Sequence, residues 1–171
     1  MADGTLARLA RFRVPFGFAL AAFVLWLAQP TGESLLAGGG IACVGEAVRV
    51  WAAGHINKSR EVTASGPYRW LRHPLYAGSS IMGLGLAVAS NRVSVGVVIA
   101  VYLAVTITVA VKAEEAFLRS RFGDAYDRYR AGSVTVRRFS ARQAIANREY
   151  RAVAGLLLVM LTLTVKWQMG K

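Results

Sequence analysis

Residues 75–111 read LYAGSSIMGLGLAVASNRVSVGVVIAVYLAVTITVAV, two uncharged runs (75–90 and 93–111) joined by Asn91-Arg92. A helix that crosses a bilayer needs roughly 20 apolar residues. Each run therefore suits one crossing, and the Asn-Arg pair suits the turn between them. Working outward, three more apolar stretches appear, at Val14 to Ala28, Ser34 to about Gly54, and Ala152 to about Met169. The runs at 14–28 and 75–90 are short, so snorkelling flanks or local thinning must make up their length. The first run could be a secretory signal. The second follows it within a few residues and no convincing small-residue cleavage site separates them, which favours a retained helix. The pattern predicts an all-α integral membrane protein, a bundle of about five transmembrane helices forming one membrane domain over 1–171.

Composition agrees. Of 171 residues, 55% are hydrophobic and 18% charged, yet Lys and Arg number 21 against nine Asp and Glu, a net charge of +12. An apolar and basic chain fits a membrane better than nucleic acid, for which no helix-turn-helix, zinc-finger or aromatic RNA-binding pattern is seen. One Cys, Cys43, excludes a disulfide framework or a multi-Cys zinc site, and two His cannot build a three-His site, so no metal is expected. With the N-terminus inside, 17 basic residues fall in inner segments and three (Arg92, Lys166, Lys171) in outer ones. Cytoplasmic loops accumulate Lys and Arg, so this asymmetry predicts N-terminus inside and C-terminus outside. Small size and missing targeting signals point to a prokaryotic cytoplasmic membrane.

The second stretch, SLLAGGGIACVGEAVRVWAAG (34–54), is dense in Gly and Ala, which lets neighbouring backbones approach closely within lipid. It also carries Glu46 and Arg49 at i,i+3, on one helix face, where they read either as a structural ion pair or as a polar contact lining a cavity.

Polar material is concentrated at 55–74 and 112–151, and the chemistry is expected there. The first segment runs into SGPYRWLRHPLYAG (65–78). Gly66-Pro67 makes a turn, and Pro74 suits a first helical turn while steering His73 away from helical backbone. Free backbone N–H groups at such an entrance, with Tyr68, His73 and Tyr76 nearby, suit a carboxylate or a ribose. Taken singly, the same aromatics read as interfacial anchors and Arg69 and Arg72 as positive-inside charges. Gly83-Leu84-Gly85 fits close helix packing as well as close approach of a cofactor. The second segment, KAEEAFLRSRFGDAYDRYRAGSVTVRRF (112–139), places Ala113, Phe117, Phe122, Tyr126 and Tyr129 at roughly every fourth residue. That predicts an amphipathic cytoplasmic helix, interrupted near Gly123, on the inner surface. Glu114 and Glu115, where the chain leaves the bilayer, are suited to a ribose hydroxyl or an ammonium group.

The string GPYRWLRHPLYAG, a helical hairpin, then EE followed by FGDAYDRYR and VRRF resembles the integral membrane methyltransferases that include isoprenylcysteine carboxyl methyltransferase and the phospholipid methyltransferases. The resemblance covers roughly residues 53–139. It divides the chain into N-terminal helices (14–54), a methyltransferase-like core (55–139) whose amphipathic helix forms the cofactor pocket, and a C-terminal extra helix (152–169). It implies S-adenosyl-L-methionine as cofactor, held by Tyr68, His73, Pro74, Leu75, Tyr76 and Glu114, with Glu115, Gly83 and Gly85 as weaker members. The acceptor implied is lipid-like or isoprenoid, methylated on a carboxylate or a lipid amine. Arg72, Arg137 or Arg138 would orient a carboxylate, and His73 or a glutamate would take a proton from an amine. The prenylcysteine enzyme has an arginine where this chain has Ala110, which weakens the case for a prenylcysteine acceptor. Two other readings stand beside this one: an NADPH-dependent sterol-type reductase, and a non-catalytic membrane scaffold.

Overall fold

The computed structural model describes residues 17–56, 65–122 and 138–171, all of them helix or short connection. The helices are α1 (Gly17–Leu27), α2 (Gly32–Ala53), α3 (Pro74–Ala89), α4 (Val93–Phe122), a short α5 (Ala141–Ala146) and α6 (Tyr150–Met169), with a 3-10 turn at Gly66–Arg69 before α3. The fold is all-α, as the apolar runs require. Among the described residues, three helices are long and apolar enough to cross a membrane: α2, the Val93–Ala116 part of α4, and α6. The shorter apolar helices are α1 and α3. At 16 residues α3 is about 24 Å long, below the roughly 30 Å of a bilayer core.

The expected helix boundaries hold within a few residues where the structure describes them. In agreement with the amphipathic segment's direct continuation from the fourth helix, α4 runs unbroken through Phe122, and the interruption expected near Gly123 lies outside the described residues. The remainder of the expected surface helix, including Tyr126 and Tyr129, lies outside the described residues, as do Val14 to Phe16 and Arg137.

Close packing of α2 on α3 is the principal interface. A methyl group on Gly38, Gly45 or Gly85 would lie under 3.0 Å from backbone atoms of the facing helix. Gly38 meets Ala89, and Gly45 meets Met82, so the register descends along α3 as it rises along α2 and the pair is antiparallel. Within lipid, this approach replaces the hydrophobic drive that water would supply. Of the three long spans α2 is the most enclosed.

The connections lie at two ends. At one, Thr31 and Ser34 form a reciprocal capping box for α2, the Ser34 hydroxyl donates to Ala89 O at 3.1 Å, and Gln29 N–H donates to Ser90 O at 2.8 Å. Lys166 Nζ, from the far end of α6, donates to Leu25 O at 2.9 Å and to Trp26 O, capping the close of α1. The opposite end carries the polar connections and is called here the His73 end.

Candidate functional site

Two local features shape the His73 end. Gly66 adopts φ +59°, a left-handed conformation that L side chains rarely adopt, and its missing Cβ leaves room for the ring of His55. Buried His55 donates from Nδ1 to Trp51 O at 2.9 Å and packs its ring near Trp51 and Phe139. Asn147 then donates from Nδ2 to Ala53 O and Ile56 O at 2.8 and 2.9 Å, satisfying carbonyls at the close of α2. The sequence reading missed Asn147, because its partners lie more than 90 residues away.

His73 is the residue before α3, with Pro74 at the first helical position. Its side chain does not cap the helix. It turns to α4, where Nδ1 lies 3.7 Å from Glu114 Oε2 and Nε2 lies 3.4 Å from Glu115 Oε1. Both polar segments thus meet at one imidazole. The length of α4 explains where: Glu114 is about 32 Å from the start of that helix, just beyond the depth of a bilayer core. His73 is mostly enclosed, while the two carboxylates remain about one third exposed.

Glu114 raises the His73 pKa most, burial opposes the rise, and Glu115 adds to it, so the ring holds its proton above its ordinary range. Two carboxylates facing one imidazolium leave a net negative charge of one. That arrangement favours a cation and hydrogen-bond donors over an anion.

The other expected residues divide clearly. Tyr76 stacks obliquely beside His73 with ring centroids 5.7 Å apart, and Pro74 and Leu75 form the turn that carries it. Arg72 is exposed on the preceding residue. Tyr68 is buried within the 3-10 turn. Gly83 and Gly85 lie elsewhere, roughly 15 Å and more along α3 from His73. A methyl on Gly83 would press on Leu103 of α4, and one on Gly85 would strike the backbone of α2 at Ala42. Close packing against α2 accounts for Gly85, whereas Gly83 both packs on Leu103 and lines the apolar cavity among α1, α3, α4 and α6; neither glycine lies at the His73 cluster.

An apolar cavity of about 320 Å³ lies deeper among α1, α3, α4 and α6, with Leu20, Val24, Met82, Leu86, Tyr102 and Leu163 in its wall. Its α3 residue nearest His73 in sequence is Ser79, about 9 Å along the helix axis.

The described residues form an all-α bundle of the membrane-protein class, with an acidic pair set against a helix-entrance histidine and an apolar cavity farther along α3. Residues 16–125 match the phospholipid methyltransferase family, and the chain belongs to it. It is 30% identical over 128 residues to the cobalt-zinc-cadmium resistance protein CzcN of Cupriavidus metallidurans, covering 69% of this chain and 58% of that one. It is 28% identical over 81 residues to the nickel-cobalt-cadmium resistance protein NccN of Alcaligenes xylosoxydans xylosoxydans, covering 46% of this chain and 38% of that one. The chain therefore spans about two fifths to three fifths of the length of these curated relatives. No solved structure matches it significantly.

Proposed function

We propose that this membrane methyltransferase uses S-adenosyl-L-methionine to methylate an amphiphilic, lipid-like acceptor at the inner face of a prokaryotic cytoplasmic membrane. The observation that carries the proposal is the meeting of His73 with Glu114 and Glu115 at the end of the bundle. A site with one surplus negative charge and two partly exposed carboxylates suits a ligand that bears a sulfonium, an ammonium group and ribose hydroxyls. The cofactor supplies an activated methyl group, so the protein itself need not supply a nucleophile.

What the residues contribute is alignment. Glu114 and Glu115 accept hydrogen bonds and oppose positive charge. His73, protonated between them, fixes their spacing, and its ring lies against Tyr76 at the mouth of α3. The first turn of α3 sets the approach angle through Pro74 and Leu75, while Tyr68 steadies the 3-10 turn behind it. Arg72 and Arg137 are assigned to the polar end of the acceptor, and the apolar cavity beyond Ser79 to its tail. A proton held on His73 makes it a donor first. It becomes an acceptor only after losing that proton toward higher pH. The names of the two relatives, both metal-resistance proteins, support looking for this activity under metal stress.

Calorimetry of the purified chain with S-adenosylhomocysteine tests the proposal. Binding is expected, and Glu114→Ala and His73→Ala are each expected to weaken it about tenfold or more, the loss of a charged hydrogen bond. No binding at millimolar ligand would overturn it. Titration with NADPH in parallel separates the reductase reading.

A further inference from the structure

A second site stands apart from the His73 cluster, where α2 faces α3 and the head of α6. Arg49 is shared by two carboxylates: Glu149, at the head of α6, lies 2.6 Å from its NH2 nitrogen, whereas Glu46 lies 3.5 Å from Nε. Arg49 also donates to the Ser79 hydroxyl. Two carboxylates share one guanidinium, so the cluster carries one surplus negative charge, and the longer contact leaves Glu46 the weaker-held of the two. Glu46 is only 6% exposed, and neither of its oxygens has a hydrogen-bond partner among the described residues. A buried carboxylate without a donor is costly, and its cost is relieved by a group that brings positive charge or N–H donors.

Glu46 lines an open groove of about 670 Å³ between α2 and α6, walled by Ala47, Val50, Trp51, Phe139, Val153 and Leu157. Apart from Glu46 these walls are apolar. The groove follows α2 for about 12 Å, from Cys43 to Trp51. A fatty acid placed here would set one carboxylate against another. A long-chain alcohol would gain one hydrogen bond. An alkylammonium would supply both the missing donor and the missing charge while its chain covered the apolar walls.

We infer that the α2–α6 groove binds a single-chain amphiphile with an ammonium head, which Glu46 receives. The inference is independent of the methyltransferase reading, since it uses neither His73 nor the acidic pair of α4.

Photolabelling tests it on the full chain in phosphatidylcholine nanodiscs, with diazirine-bearing dodecylamine, dodecanol and dodecanoate as probes. Dodecylamine is expected to label the segments around Val50–Trp51 and Val153–Leu157 about tenfold more than either other probe. Glu46→Gln should remove that preference. Ala47→Trp, at an exposed position in the groove wall, should block labelling by all three probes while leaving Glu46, Arg49 and Glu149 in place. Equal labelling by amine and alcohol would overturn the inference and identify a groove filled by lipid chains around a protonated Glu46. Amine preference that survives Glu46→Gln, or labelling that survives Ala47→Trp, would overturn it as well. S-adenosylhomocysteine binding in the same samples reports on the other site, so either reading fails visibly without the other.

Discussion

The molecule contains the same charge motif twice, two carboxylates around one cation, in opposite settings. At the end of the bundle the cation is His73, which can lose its proton, and Glu114 and Glu115 reach water. Within the bundle the cation is Arg49, and Glu46 and Glu149 are both buried. The first arrangement can exchange protons with solvent. The second joins α2 to α3 through Ser79 and to α6 through Glu149, so it also acts as a joint between helices. Position relative to the bilayer, more than residue type, decides which role a charge cluster takes.

The largest effect that would test this contrast is expected at Arg49. Arg49→Met would leave two buried carboxylates facing each other without a counter-ion, a loss of about 3–5 kcal/mol. Thermal unfolding in mild detergent should show a collapse in yield or melting temperature. His73→Gln, in the exposed cluster, should leave the fold intact. Comparable melting of the two variants would break the comparison. Next in size is the α2–α3 contact. Gly45→Ala drives a methyl into the backbone at Met82 and should cost about 1–3 kcal/mol, whereas Gly40→Ala meets nothing within 4 Å and should melt like the parent.

How much of this was legible beforehand depended on sequence distance. The hairpin at 75–111 declared itself because its signal is local, an uncharged run and then a polar turn. His73, Glu114 and Glu115 could be proposed together only through the resemblance, since no periodicity links residues about 40 apart. The Glu46–Arg49 pair was readable from its i,i+3 spacing. Its third member was not: Glu149 sits 100 residues on, among Arg-rich segments where a solvated acid is the natural reading. The glycines stayed open for a related reason. Gly83 and Gly85 read equally as cofactor approach and as helix contact, and only the facing residues, Leu103 and Ala42, reveal the contact each makes. Short helix α5 and the Asn147 cap were invisible because both are defined by docking onto the close of α2.

The smallest effect is the most specific to the exposed cluster. The His73 pKa lies above its ordinary 6.5, chiefly through Glu114, against burial and with Glu115 adding to the rise. Between the unfolded and folded pKa values the folded chain binds the extra proton, so the contribution to stability is fully present below about pH 6.5 and is lost as pH rises through the folded value. Because both carboxylates are about one third exposed, water screens the interaction and its worth stays below about 1 kcal/mol. Melting curves taken from slightly acidic to alkaline pH should therefore decline modestly across this window, and the decline should shrink in His73→Gln. Glu114→Gln should flatten the curve more than Glu115→Gln, following the order of their influence on the ring. An unchanged slope in His73→Gln would mean that the proton is not held at the mouth of α3, and the contrast between an exchangeable and a fixed cluster would be lost.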